Sequence, residues 1–369
     1  MDDRAPTWHA LLDSWQVSWK TGCVWGFDVG GANLKVACLD RPSGHLISQS
    51  RSFALWRSPQ DLSSAMQAIT TGLPTPTEIV ITMTGEIADC FPHKSVGVAA
   101  IVDQCERAFA PLGVPIRYYA QTAKTTEDSW LNAADAKQYW TMVAASNWHA
   151  VANLWGNYLS TEFQGPGLIA DLGSTTLDLT VVAPDRPISP ATDWERIQQG
   201  RLVYTGARRS PLSMILPEVT YRGATLPLAQ ELFATIQDAY LLTELIEENH
   251  DNNATPDGRP ATRECASQRI ARMFCSDAQE LPSEFLQQIA QQAQMKHLAQ
   301  IATALSRPLC EEPNLKWLLN LGEGESLLFV AIAQTRWSNF AGSIRQGSNL
   351  LGREVSQVMP AVAVAILAP

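Results

Sequence analysis

Apolar and polar positions along the chain alternate with two different periods. Runs from Val24 to Val29 and from Leu34 to Leu39 predict two strands around a short polar turn. Glu78 to Met83, EIVITM, predicts a third strand, which ends in Thr84-Gly85-Glu86. A helix is expected over Val96 to Phe109 and a strand over Val114 to Tyr119. Ala145 to Leu159, ASNWHAVANLWGNYL, returns to the helical period and runs into Gly165-Pro166-Gly167, a break of the kind found between domains. The strand pattern then restarts in GLIADLGSTTLDLTVV, Gly167 to Val182. Glu231 to Glu248 and Glu284 to Ala304 read as helices. The loop between them, His250 to Pro260, has Pro-Asp-Gly turn chemistry, and its carboxylate spacing does not match a calcium loop. Apolar segments at Trp317 to Leu321 and Leu328 to Ile332 flank Gly322-Glu323-Gly324-Glu325-Ser326, and Pro360 to Leu367 closes as a helix. At the N-terminus Trp8, Leu11, Leu12, Trp15 and Trp19 share one face at helical spacing, which predicts a short helix packed on the body of the protein.

The two polar turns are copies of one device. Trp25 to Asp40, WGFDVGGANLKVACLD, aligns without a gap on the later segment, so that Asp28 falls on Asp171, Gly30 on Gly173, Leu34 on Leu177 and Lys35 on Asp178. A glycine after Asp-x lets the backbone turn tightly and brings N–H groups close to a ligand, and neighbouring hydroxyls add donors. Such a turn suits phosphate oxygens. The carboxylate at its head suits magnesium or its waters, which assigns that role to Asp28 and Asp171. One turn in each of two duplicated domains makes a cleft that grips a polyphosphate from both sides.

Composition narrows the function. At 369 residues the chain is long enough for two domains with separate cores. With 46% apolar and 17% charged residues and no apolar stretch of membrane-spanning length, it reads as soluble and without a membrane role. A net charge of −10 without a basic block opposes nucleic acid binding and favours small-molecule chemistry. Seven scattered cysteines without a Cys-x-x-C pair suit reduced thiols in a cytoplasm, and the acidic N-terminus does not resemble a secretory signal. Neither a Walker sequence nor G-x-G-x-x-G after a strand is present.

The paired strand-turn-strand motifs resemble the actin, sugar-kinase and Hsp70 superfamily. That resemblance implies an α/β protein with two duplicated, ribonuclease H-like domains around a central cleft. The expected organisation is a helical extension over 1–22, a first domain over 23–145 and a second domain with inserted helices over 146–369. Kinases of the superfamily place an aspartate base at the start of the interdomain helix. Here Asn147-Trp148 stands there, and neither side chain accepts a proton at neutral pH.

A narrower resemblance covers nearly the whole chain. DVGGANLKVA, TGEIADCF followed by Lys94, ASNW, ADLGSTTLDL, TDWERIQQGRLVYTGARRSPL, ELFATIQDAYLL, DGRPATRE and RIARMFCSD are similar to the hydantoinase/oxoprolinase-related proteins of tetrahydromethanopterin-linked C1 transfer. The Trp-rich N-terminal segment and GEGES depart from that pattern. The resemblance implies an ether-forming transfer, in which diphosphate leaves a furanylmethyl carbon and a phenolic amine such as γ-glutamyltyramine attacks, in methanofuran-type carrier biosynthesis. Mg2+ on Asp28 and Asp171 is then the expected cofactor. Gly30, Gly31, Asn33, Gly173, Ser174, Thr175 and Thr176 would bind diphosphate, and Lys35 would add charge. Glu86 is the candidate base for the phenol. Arg208 and Arg209 suit the γ-glutamyl carboxylate, Glu86, Asp89 and Asp178 suit the furan's ammonium, and Asn147 would line the substrate site. His93, His149, Trp148 and Trp155 are expected to be structural. Substrates would be small molecules, and the sequence is compatible with a homo-oligomer. An ATP-dependent kinase or hydrolase of the same fold and a nucleotide-binding regulatory protein are the alternative readings.

Overall fold

The architecture follows from a computed structural model that describes residues 8–14, 21–122, 129–184, 188–189, 191–335, 340 and 342–369. The first sheet comprises β1 (Cys23–Val29), β2 (Asn33–Asp40), β3 (His45–Ser52), β4 (Glu78–Met83), β5 (Ile116–Tyr119) and β6 (Trp130–Leu131), in the order β3-β2-β1-β4-β5-β6. The second comprises β7 (Gly167–Leu172), β8 (Leu177–Val182), β9 (Leu202–Val203), β12 (Trp317–Leu321) and β13 (Ser343–Gln346), in the order β13-β12-β7-β8-β9. Strands β10 (Glu218–Tyr221) and β11 (Ala224–Pro227) form a separate hairpin. In each main sheet the leading strand pairs antiparallel with its successor and parallel with a later strand. The duplication expected from the two turns therefore extends through five strands, with β6 an addition to the first copy.

Helices cover both faces of both sheets, which is why β1, β4 and β12 are buried along their whole length. Outside the first sheet lie α2 (Leu62–Ile69), α3 (Lys94–Phe109), α4 (Ala133–Gln138) and α5 (Trp140–Val143). Outside the second lie α8 (Leu212–Ile215), α9 (Ile236–Leu242), α10 (Arg263–Arg272), α11 (Ser283–Glu311) and α12 (Glu325–Ile332). Between the sheets run α6 (Asn147–Glu162) and α15 (Met359–Leu367), sharing one apolar core with the inner face of each sheet. Gly26 permits that layer, because a Cβ there would stand 2.2 Å from the Ala361 carbonyl oxygen. The last helix of the chain thus returns to the first sheet. Short helices α7 (Asp193–Gln198), α13 (Gly347–Leu351) and α14 (Arg353–Gln357) complete the fold.

The N-terminal helix α1 (Trp8–Ser14) buries Leu11 and Leu12 in the shared core, as its apolar face predicts. Trp15 and Trp19 lie outside the described residues. The helix expected over Glu231 to Glu248 is confined to α9, because Thr235 starts it with a capping box to Asp238 and Glu244, at φ +61°, turns the backbone out of the helix just beyond Leu242. Conversely, α3 starts at Lys94 rather than Val96, and α11 extends through Pro308 to Glu311. Trp148 and Trp155 are buried, and His149 bonds to Tyr119 and Asn153, consistent with structural roles. The loop over His250 to Pro260 is a turn anchored by Asp257, which bonds Arg259 and Arg269.

Candidate active site

Both turns close in the same way. Gly30 N–H donates to Asn33 O at 3.0 Å, and Gly173 N–H donates to Thr176 O at 2.9 Å. Each is then backed by the segment that follows its third strand. Phe53 and Leu55 N–H donate to Ala32 and Gly31 carbonyls in the first copy, while Ala207, Arg208 and Arg209 N–H donate to Gly173 and Ser174 carbonyls in the second. The backing segments also meet. Arg209 stacks on Trp56 with its guanidinium 4.5 Å from the ring centroid, and Asn33 Nδ2 donates to Ser174 Oγ at 3.3 Å. The cleft is therefore closed at the level of the turns.

Charged groups converge beneath them. Asp28 pairs in register with Lys35, whose Nζ is 3.5 Å from Asp28 Oδ2. Asp28 is 4% exposed, and burial raises its pKa against the pull of Lys35. Its Oδ1 is buried without a hydrogen-bonding partner. Asp171 keeps a partly accessible edge, yet loss of hydration in the crowded cleft pushes its carboxyl up to about 7. Lys35 opposes that rise, and the negative Asp178, Asp28 and Glu325 add to it. Gly322 belongs to the same wall, with φ +92° and no room for a Cβ, which would stand 2.2 Å from Asp171 Oδ1.

Among the described residues no group of three or more His, Cys, Asp or Glu is arranged to hold a metal ion. Magnesium commonly needs only one or two protein carboxylates alongside substrate phosphates. The orphaned Asp28 oxygen and the mutually repelling Asp28, Asp171 and Asp178 fit a cation there.

Glu86 stands on the turn after β4 and is 1% exposed, so it is not a surface carboxylate, and the N-cap position of α3 is held by His93. Burial pushes its carboxyl up to about 7, with the amides of Glu86 and Ala145 and the Lys94 ammonium pulling the other way. Neither carboxylate oxygen has a hydrogen-bonding partner of good geometry. Asp89 is exposed on the following turn, and Asn147 is the first residue of α6. Asp178 is engaged already: Arg196 contacts its Oδ1 at 2.7 Å and Thr176 donates to its Oδ2 at 3.3 Å. Arg208 pairs with Glu323, and burial lowers its pKa to about 10, while its Nε remains buried and unpartnered. Glu325 is held by the hydroxyls of Ser348 and Ser356, a structural role.

The pairing partners Arg196, Asp193, Glu323 and Trp56 were not among the candidates read from sequence. Arg196 also lies 4.3 Å over the Trp148 ring, joining α7 to the head of α6. A partial signal was present in TDWER, where Thr192 and Glu195 form the capping box that starts α7.

Two equivalent sheets with matched, acid-headed turns facing across a cleft define a protein of the actin-like fold. Residues 78–312, well over half of the chain, match the hydantoinase/oxoprolinase family, and the chain belongs to it. Its relatives include the (4-{4-[2-(gamma-L-glutamylamino)ethyl]phenoxymethyl}furan-2-yl)methanamine synthase of Methanocaldococcus jannaschii, 27% identical over 93% of this chain and 97% of that protein. The synthase of the same name from Methanococcus vannielii is 29% identical over 57% of this chain and 94% of its own. Among solved structures, a nucleotide-free acetone carboxylase matches 94% of this chain and 70% of its own with a TM-score of 0.52 at 10% identity, a likeness of fold. The chain is an enzyme, like the synthases it resembles. No helix among the described residues is long and apolar enough to cross a membrane.

Proposed function

We propose that the protein joins a furanylmethyl diphosphate to a phenolic amine such as γ-glutamyltyramine through an ether, in the biosynthesis of a methanofuran-type C1 carrier in the cytoplasm. The names of both relatives describe a phenoxymethylfuran, which supports the ether product. The observation that carries the diphosphate is the pair of matched turns, each headed by an aspartate and joined by the Asn33–Ser174 bond.

In the reaction the carbon–oxygen bond to diphosphate breaks, the phenol oxygen bonds to the furan methylene, and the phenolic proton leaves. An electron-rich furan stabilises positive charge at its methylene, so the main task is to stabilise the departing diphosphate. The Gly31 and Asn33 amides and the hydroxyls of Ser174, Thr175 and Thr176 would hold it, with Lys35 adding charge, whereas Gly30 and Gly173, expected as donors, use their N–H groups to close the turns and only shape the cradle. Magnesium held by Asp28 and Asp171 would neutralise charge on the leaving group. Glu86 would take the phenolic proton. A carboxylate with a pKa of about 7 is a stronger base towards a phenol than an ordinary glutamate, and remains partly ionised at neutral pH. Arg209, placed over the Trp56 ring, and the unpartnered Arg208 Nε suit the γ-glutamyl carboxylate. Asp89 is the carboxylate left for the furan's ammonium, since Arg196 and Thr176 occupy Asp178. Asn147 at the head of α6 leaves a kinase reading without its usual carboxylate base.

Diphosphate should raise the unfolding temperature only when magnesium is present, because binding to the folded state alone stabilises it. Asp171→Asn should abolish that rise. A variant that keeps the full magnesium-dependent rise would refute the metal role.

A further inference from the structure

Lys94 sits between two carboxylates on opposite sides of the cleft. Its Nζ lies 2.8 Å from Asp193 Oδ2, at the first position of α7 in the second lobe, and 3.9 Å from Glu86 Oε1 in the first. Asp193 therefore holds the ammonium by a hydrogen bond, and Glu86 receives only a longer ionic contact. The backbone of Glu86 is pinned. Gly97, one turn into α3, packs so closely that a Cβ there would stand 2.1 Å from Glu86 O. Lys94, by contrast, is 29% exposed on a flexible four-carbon stem, so rotation of that stem chooses its partner.

We propose that Lys94 is a positioning residue shared across the cleft. In the closed arrangement Asp193 draws it away from Glu86, which leaves Glu86 free to accept the phenolic proton. When the lobes part, α7 withdraws with Asp193, Lys94 returns to Glu86, and the base is quenched until both substrates are enclosed. This rests on the reading of Glu86 as base. The charged groups that face Glu86 are Lys94 from α3 and Asp193 from α7, and the amides of Glu86 and Ala145 also point their dipoles at it. Lys94 and the amides favour the ionised form, while Asp193 opposes it.

The test is the pH profile of ether formation for the full-length protein and five variants, with the protonation of Glu86 followed independently by infrared spectra taken as differences from Glu86→Gln. Lys94→Met should move the acid limb up by about one pH unit, the lower end of the effect of a neighbouring opposite charge. Asp193→Asn should move it down by a similar amount. Lys94→Arg, which keeps the charge, should stay near wild type. In the double variant the Asp193→Asn shift should fall to less than half, because there is no longer a cation to release, whereas independent effects would add. The infrared carboxyl band should titrate with the same shifts. Shifts of the same sign, or an Asp193→Asn shift undiminished without Lys94, overturn the sharing of Lys94 and leave the base in place. An acid limb that survives in Glu86→Gln overturns the reading of Glu86 as base.

Discussion

Replacing Glu86 by glutamine should stabilise the protein at pH 8 and leave it nearly unchanged near pH 4.5. Folding moves this carboxyl from its ordinary value of 4.5 to about 7, chiefly because burial removes the water that would hydrate its charge. A raised carboxyl pKa means that the folded state holds the proton more tightly than the unfolded state. Its stabilising contribution is complete below pH 4.5 and is lost as pH rises through 7. The interval between those values, at about 1.4 kcal/mol for each factor of ten, corresponds to ~3 kcal/mol of destabilisation at alkaline pH. Glutamine keeps the shape and carries no charge, so it removes that penalty. With an unfolding entropy of roughly 2.1 cal/mol/K per residue over the chain, the gain amounts to a rise of about 4 °C in Tm. Thermal unfolding of wild type and variant, followed by circular dichroism from pH 4.5 to 8.5 without substrates, measures it. Activity should fall in the same variant, the expected trade between stability and a charged group kept buried for function. A difference in Tm that stays flat with pH, or a variant less stable at pH 8, would refute the reasoning.

Two further predictions concern the turns and the cleft. Gly322→Ala places a methyl against Asp171 at a left-handed backbone position, so it should cost about 1–3 kcal/mol of stability and more than halve the magnesium-dependent stabilisation by diphosphate; thermal unfolding with and without the ligand reads both. Arg209→Lys loses the stacked, forked guanidinium and should lower kcat/KM for γ-glutamyltyramine about tenfold while sparing tyramine, the fold-change corresponding to a charge-assisted hydrogen bond. An equal loss with tyramine would show that the arginine does not read the γ-glutamyl carboxylate.

The duplication was legible because buried central strands leave long apolar runs and because the two turns align without a gap. Edge strands were not. HLISQSRS in β3 mixes exposed and half-buried positions, and β9 has only two residues. The helix read over Glu231 to Glu248 was too long because apolar residues precede Thr235 and continue its period, whereas the capping box stops the backbone from extending backwards. Within the site, the aspartates, turns and Glu86 could be found locally. Their partners could not, since Lys94–Asp193, Asp178–Arg196, Arg208–Glu323 and Arg209–Trp56 join residues distant in the chain. Only the fold brings those charges together, and the same contacts decide which carboxylates remain available to a substrate.

Carrying an oxygen-18 label from the phenol into product tests the central claim most directly. γ-Glutamyltyramine labelled at the phenolic oxygen would be incubated with the furanylmethyl diphosphate, magnesium and the protein, and the products resolved by mass spectrometry. Ether formation by attack of the phenol on the methylene retains the label in the product and releases one diphosphate for each ether, without added ATP. Loss of the label, or nucleotide consumption without ether, would contradict it.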